Sequence, residues 1–142
     1  MAFWLVKSEP GCWSFADHMA KGVEPWTGVR NHQAAAHLKA MRVGDRAFFY
    51  HSVDEKRIVG ILEVVGEAIP DPTDPAGRFV SVDFKALKAV PRPVTLAEIK
   101  AEPRLGHLAL LKQSRLSVVP IDAEAWDVLC GMAGLDPIVP RA

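Results

Sequence analysis

Arg57-Ile58-Val59-Gly60-Ile61-Leu62-Glu63-Val64-Val65-Gly66-Glu67-Ala68-Ile69 is followed by the rigid turn Pro70-Asp71-Pro72-Thr73-Asp74-Pro75 and then by a second run, Phe79 to Val90. The first run is rich in β-branched residues and reads as one long strand. In the second, Val80, Val82 and Phe84 point one way, and Ser81, Asp83 and Lys85 the other. Two long strands joined by a proline-stiffened turn predict the central hairpin of a sheet. Pro91-Arg92-Pro93 is expected to end the second strand, because proline cannot donate to a ladder.

Shorter elements flank this hairpin. Phe3 to Val6 reads as a buried strand that runs into the loop Lys7-Ser8-Glu9-Pro10-Gly11. Ser14 with Asp17 forms a capping-box pattern for a helix through Ala20. Ala34, Leu38 and Met41 share one face of a helix over 32–42, with Gly44 at its C-terminal end. Arg46 to Tyr50 is a strand, with Phe49 and His51 on one face and Phe48 and Tyr50 on the other. Thr95 with Glu98 caps a helix through Lys100, and a short helical piece covers 105–111. Leu116 to Val119 is a strand, and Asp122 caps a last helix carrying Trp126 and Leu129. The tail from Asp136 is expected to be loosely held. Strands with helices inserted early and placed at the end predict a single α+β domain over 1–142, built as a small mixed barrel.

Composition narrows the function classes. The chain has 142 residues, 49% of them hydrophobic, with lysine plus arginine equal to aspartate plus glutamate. A neutral chain is poorly suited to binding long nucleic acid through many phosphate contacts. The first 57 residues hold eight basic and six acidic side chains and four of the five histidines, so an anionic partner is expected to approach there. No signal peptide and no apolar run of transmembrane length is evident, which predicts a cytoplasmic protein with Cys12 and Cys130 reduced. His32 and His37 are five apart and no Cys-x-x-Cys is present, so no metal is expected. No glycine-rich phosphate loop of either common type occurs.

One loop is out of keeping with a plain core. Trp26-Thr27-Gly28-Val29-Arg30-Asn31 places an indole, a guanidinium and an amide around a glycine. Tryptophan in a loop needs a surface for its face, and Arg and Asn offer planar polar groups. This predicts one wall of a pocket for a flat ligand such as a nucleobase. Lys7 and Ser8, at the end of the first strand, and Tyr50, His51 and Ser52, at the end of another, are candidates for the mouth of a barrel.

Taken in order, Lys7-Ser8-Glu9-Pro10, Trp26 to Asn31, Gly44-Asp45, Phe48 to Ser52, Val59-Gly60-Ile61, Pro70-Asp71, Pro93-Val94-Thr95-Leu96 and Arg115-Leu116-Ser117-Val118 resemble the EVE domain, in register from Phe3 to about Leu129. The resemblance implies a PUA-like fold, a small β-barrel flanked by helices, acting as a monomer without cofactor or metal. It implies a non-enzymatic reader of modified bases, chiefly modified cytosines such as 5-methylcytosine in DNA, with RNA as the other polymer. Trp26, Val29, Arg30 and Asn31 would wall the pocket, and Lys7 and Ser8 would edge it. Tyr50, His51 and Ser52 would lie near, and Leu116 and Ser117 would form part of its floor. The base would be single-stranded or flipped out, stacked on Trp26, with Lys7 and Arg30 on flanking phosphates. His32 stands at the rim where the family has Tyr, Ala35 and Ala36 replace Arg and Asn, and Val53 replaces Asn. An alternative implied by PUA-like barrels is an ASCH-type hydrolase acting on a modified nucleoside or small amide through Lys7 and Glu9.

Overall fold

The computed structural model describes residues 1–135; the expected loose tail lies outside the described residues. Among the described residues six strands are β1 (Phe3–Ser8), β2 (Val23–Pro25), β3 (Arg46–His51), β4 (Arg57–Pro70), β5 (Val80–Thr95) and β6 (Val118–Ile121). The same residues form five α-helices, α1 (Phe15–Lys21), α2 (His32–Ala40), α3 (Leu96–Ala101), α4 (Ala109–Lys112) and α5 (Ala123–Met132). The sheet runs β2-β5-β4-β3-β1-β6, with β1 and β3 parallel and every other pair antiparallel. The predicted β4–β5 hairpin is its centre. Helix α2 packs against β6 and also against β5 and β4, so it spans from one edge of the sheet back to its middle. The sheet is therefore rolled rather than hydrogen-bonded into a closed barrel.

Both faces of β3 are buried. Phe48 stacks on Trp126 of α5, and Trp126 stacks on Phe3 in turn. On the other face Phe49 meets Phe15 and His18 of α1 and Trp26 edge-on. Gly60 of β4 leaves the space that the Phe15 ring occupies: a Cβ there would lie 2.3 Å from ring carbons. Asp45 ties down the N-terminal end, accepting from the Ala2 and Arg42 amides and from the Trp4 indole.

Several boundaries differ from the sequence expectation, each for a local reason. β5 passes through Pro91-Arg92-Pro93 to Thr95. Gly60 pairs with Ala89 and Ile58 with Val94, so residues 90–93 bulge opposite Val59 and the prolines face no ladder partner. Ser81, expected on the polar face, is fully buried. Helix α2 stops at Ala40 with Met41 as its cap, while Gly44 shapes the turn into β3. The expected 105–111 helix is a 3-10 turn over Pro103–Leu105 and the separate α4. The last strand begins at Val118 rather than at Leu116. The capping boxes at Ser14–Asp17 and Thr95–Glu98 and the Asp122 cap are present. Strand β2 is too short to carry a periodic signal.

Candidate functional site

The loop after β2 is shaped by a carboxylate in the predicted turn. Asp71 accepts four hydrogen bonds: Gly28 N–H at 2.8 Å and Arg30 Nη1 at 3.0 Å on Oδ2, and the Thr73 amide and hydroxyl, both at 2.7 Å, on Oδ1. Gly28 has φ +83°, which turns its amide toward Asp71 and favours glycine. Burial works against ionisation of Asp71, but the Thr73, Gly28 and Arg30 donors outweigh it and hold its pKa at about 2. Arg30 also reaches the Thr73 hydroxyl and lies over the Phe79 ring. The expected phosphate ligand is thus committed to an internal ion pair.

Asn31 is likewise spent within the fold. Its Oδ1 accepts from Ala34 N–H as the N-cap of α2. His32 packs on Phe79, with centroids 5.0 Å apart. His51 accepts from Phe15 N–H at Nε2, which leaves Nδ1–H for Glu55 at 2.8 Å, so the ring anchors the start of α1. None of these side chains lines the cavity described next, and Leu116 is buried beside it in the chain without lining it.

A cavity of about 370 Å³ opens where the two sides of the rolled sheet approach. Lys7 and Ser8 of β1 and Ser117, just before β6, form one side. Glu24 and Pro25 of β2, then Trp26, Thr27 and Val29, form the other, and Cys12 and Trp13 close the end. Of the expected pocket residues, Lys7, Ser8, Trp26, Val29 and Ser117 are brought together here. Thr27, within the predicted wall stretch, joins them, whereas Cys12, Trp13, Glu24 and Pro25 were not anticipated. Trp26 is only 8% exposed: Phe49 and Phe84 meet it edge-on, and His18 stacks at 6.2 Å. It is therefore more a floor set in the core than a free stacking platform.

Trp13 is the more accessible indole. Its Nε1–H donates to His18 Nδ1 at 3.2 Å, which requires His18 to carry its proton on Nε2, 2.9 Å from the Phe84 carbonyl. Burial pushes the His18 pKa down, against the pull of that carbonyl and of Glu24. A neutral imidazole satisfied at both nitrogens thus fixes Trp13 and backs Trp26. Ser8 Oγ donates to the Trp13 carbonyl at 2.6 Å, holding the same turn from the other side. Lys7 Nζ donates to the Ser114 carbonyl at 2.9 Å, and burial lowers its pKa.

Glu9, the second residue of the expected hydrolase pair, is exposed and outside the cavity, while Lys7 is held by Ser114. The lysine–glutamate pairing is absent from this site. Tyr50 and Ser52 line a second cavity that shares only Lys7 with the first. A larger apolar hollow near the N-terminus is lined by Phe3, Trp4, Leu108 and Ile121, and its ionisable side chains among the described residues, His107 and Asp122, bond each other. Among the described residues no cluster of His, Cys, Asp and Glu could hold a metal, and no helix is long and apolar enough to cross a membrane.

A rolled mixed sheet with helices at its edges and a cleft at the end of β1 defines a PUA-like α+β domain. The EVE domain profile matches residues 2–132, and the chain belongs to the EVE domain family. It is 32% identical to human thymocyte nuclear protein 1 over 94% of this chain and 75% of that protein. An NMR structure from Rhodopseudomonas palustris is 59% identical, with a TM-score of 0.91 over 96% of this chain and 95% of that one. The human THYN1 protein, crystallised in complex with 5-methylcytosine-containing DNA, is 32% identical with a TM-score of 0.89, covering 96% of this chain and 100% of that one. An ASCH protein from Zymomonas mobilis shares the fold alone, at 12% identity and a TM-score of 0.57 over 93% of this chain and 99% of that one.

Proposed function

We propose that this chain is a non-catalytic reader of nucleic acid that receives a modified cytosine in the cavity between Trp13 and Trp26. The cavity carries the reading. Its volume of about 370 Å³ falls in the range of roughly 300–1,000 Å³ typical of small-ligand sites. Two indoles supply flat apolar surface, and Ser8, Thr27, Glu24 and Ser117 supply polar groups at its margin. The DNA complex of the related human protein supports the same class of ligand.

Each wall has a physical role in this reading. Trp13, fixed by His18, stacks on the base, and stacking on an aromatic is worth about 1–3 kcal/mol. Val29 is the apolar contact for a 5-methyl group. Glu24 is a hydrogen-bond acceptor suited to the exocyclic amine of cytosine, which thymine and uracil lack. A base in a duplex must be flipped to arrive, so single strands should bind more tightly.

The test is a titration of a short single-stranded DNA carrying one 5-methylcytosine, beside its cytosine, thymine and RNA counterparts. The methylated strand is expected to bind tightest, and Trp13→Ala should weaken it about tenfold or more. Glu24→Gln presents an amide donor to the thymine O4, so the gap between cytosine and thymine should shrink by about tenfold. Equal binding of all four strands, or an unchanged affinity in Trp13→Ala, overturns the reading.

A further inference from the structure

With Arg30 paired to Asp71, the base cavity has lost one of its two expected phosphate ligands. The second cavity, beyond Lys7, supplies another kind of surface. It has a volume of about 260 Å³ and is lined by Lys7, Lys56 and Lys100, by the hydroxyls of Tyr50, Ser52 and Ser114, and otherwise by apolar groups. Among the described residues no carboxylate lines it. Glu55, in the adjoining groove, is already taken by His51 and Arg57. Among the described residues neither Lys56 nor Lys100 has an acidic partner. Half-buried Lys7 and exposed Lys56 and Lys100, lining one cavity with Tyr50, Ser52 and Ser114, favour an anion there.

The backbone is arranged to hold it. Val53 and Lys56 both have positive φ, 71° and 49°, a costly conformation for non-glycine residues and worst for a β-branched one. The Lys56 carbonyl accepts from Leu96 N–H at 2.8 Å, which locks this tight loop against the start of α3. The loop thereby presents Lys56 toward the helix that carries Lys100. Ser52 N–H donates to the Ser8 carbonyl, joining the loop to the end of β1 and to the base cavity.

We propose that this three-lysine cavity binds the backbone phosphate of the nucleotide whose base occupies the Trp13–Trp26 cavity. The inference rests on the base-reader reading. Among the described residues Lys7 is the only one lining both cavities, so base and phosphate sites lie on either side of a single residue. On the far side of Lys7 the lysines attract phosphate. Lys7 keeps two ammonium hydrogens free after its bond to Ser114.

The experiment titrates the protein, followed by amide NMR, with 5-methyl-2′-deoxycytidine, with its 5′- and 3′-monophosphates, and with inorganic phosphate. One monophosphate should bind about tenfold more tightly than the nucleoside. Lys56→Ala/Lys100→Ala should erase that advantage and leave nucleoside affinity unchanged. Inorganic phosphate should move the Ser52 and Lys56 amides in the parent protein and not in the variant. The slope of log affinity against log salt for a single strand should become shallower by about 0.7 in the variant. Nucleoside binding with no gain from phosphate overturns the phosphate site and spares the base reading. Phosphate shifts without nucleoside binding overturn the base reading and its link to this site. An advantage that persists in the variant overturns the assignment of the lysines.

Discussion

Asp71→Ala is expected to be among the most costly substitutions outside the core, and its cost can be worked from the four donors it serves. The side chain is fully buried, whereas that of Arg30 is 41% exposed. Each hydrogen bond to an ionised group is worth about 1.5–3 kcal/mol, but donors near the surface regain water when it is lost. The guanidinium and the Thr73 hydroxyl can do so; the Gly28 and Thr73 amides are less free to. A loss of about 3 kcal/mol follows, at the low end for breaking a buried ion pair. Arg30→Ala removes one donor and leaves Asp71 with three, so it should cost about 1 kcal/mol. Urea unfolding of both variants and the double variant measures the difference. The acid limb adds a second reading: with its folded pKa at about 2 against an ordinary 3.8, Asp71 stabilises fully above the ordinary value, and that stability is lost as pH falls toward 2. Asp71→Ala should flatten this limb. Equal costs for the two single variants, or an unchanged acid limb, would refute the clamp.

Gly60→Ala should cost about 2 kcal/mol by overpacking, because its Cβ would meet the Phe15 ring at 2.3 Å and that ring is held against Phe49. Adding Phe15→Leu should recover part of the loss in a thermal melt; simple additivity of the two changes would show that the contact is not the cause. Burial holds the folded pKa of His18 below its ordinary 6.5, so the unfolded chain takes up the proton first as pH falls. Stability is therefore complete above pH 6.5 and declines below it, and burial of His37 acts with the same sign. The urea midpoint should drop between pH 7.5 and about 5.5, less so in His18→Gln, and a midpoint constant over this range contradicts the neutral His18 pivot.

Much of the fold was legible because its signals are local. The capping boxes at Ser14 and Thr95 need only a residue and its third neighbour, and the β4–β5 hairpin declares itself by composition and its turn. The misplaced ends have non-local causes. Pro91 and Pro93 stop a strand only if a ladder partner is waiting, and the bulge opposite Val59 removes that condition. Ser81 breaks the alternation because both faces of the rolled sheet are covered, which the period of two cannot reveal. The parallel pairing of β1 with β3 joins residues about forty apart, with no local trace.

The site was legible as a location more than as a set of contacts, and the reason lies in what planar polar groups do in a loop. A stretch without helix or strand must satisfy its own backbone, and Arg30 and Asn31 are largely consumed in doing so. Arg30 pairs with Asp71, and Asn31 caps α2. Trp26 is similarly drawn inward, between Phe49, Phe84 and His18. Much of the remaining surface left to a ligand comes from residues whose sequence context is ordinary: Trp13 after a Gly-Cys turn and Glu24 in a three-residue strand. They meet only because the sheet rolls until β2 and the start of β6 face each other across the end of β1. The distinctive loop thus builds the frame, and the substitutions most informative about the ligand are at Trp13 and Glu24, while those at Arg30 and Asn31 report chiefly on whether the frame stands.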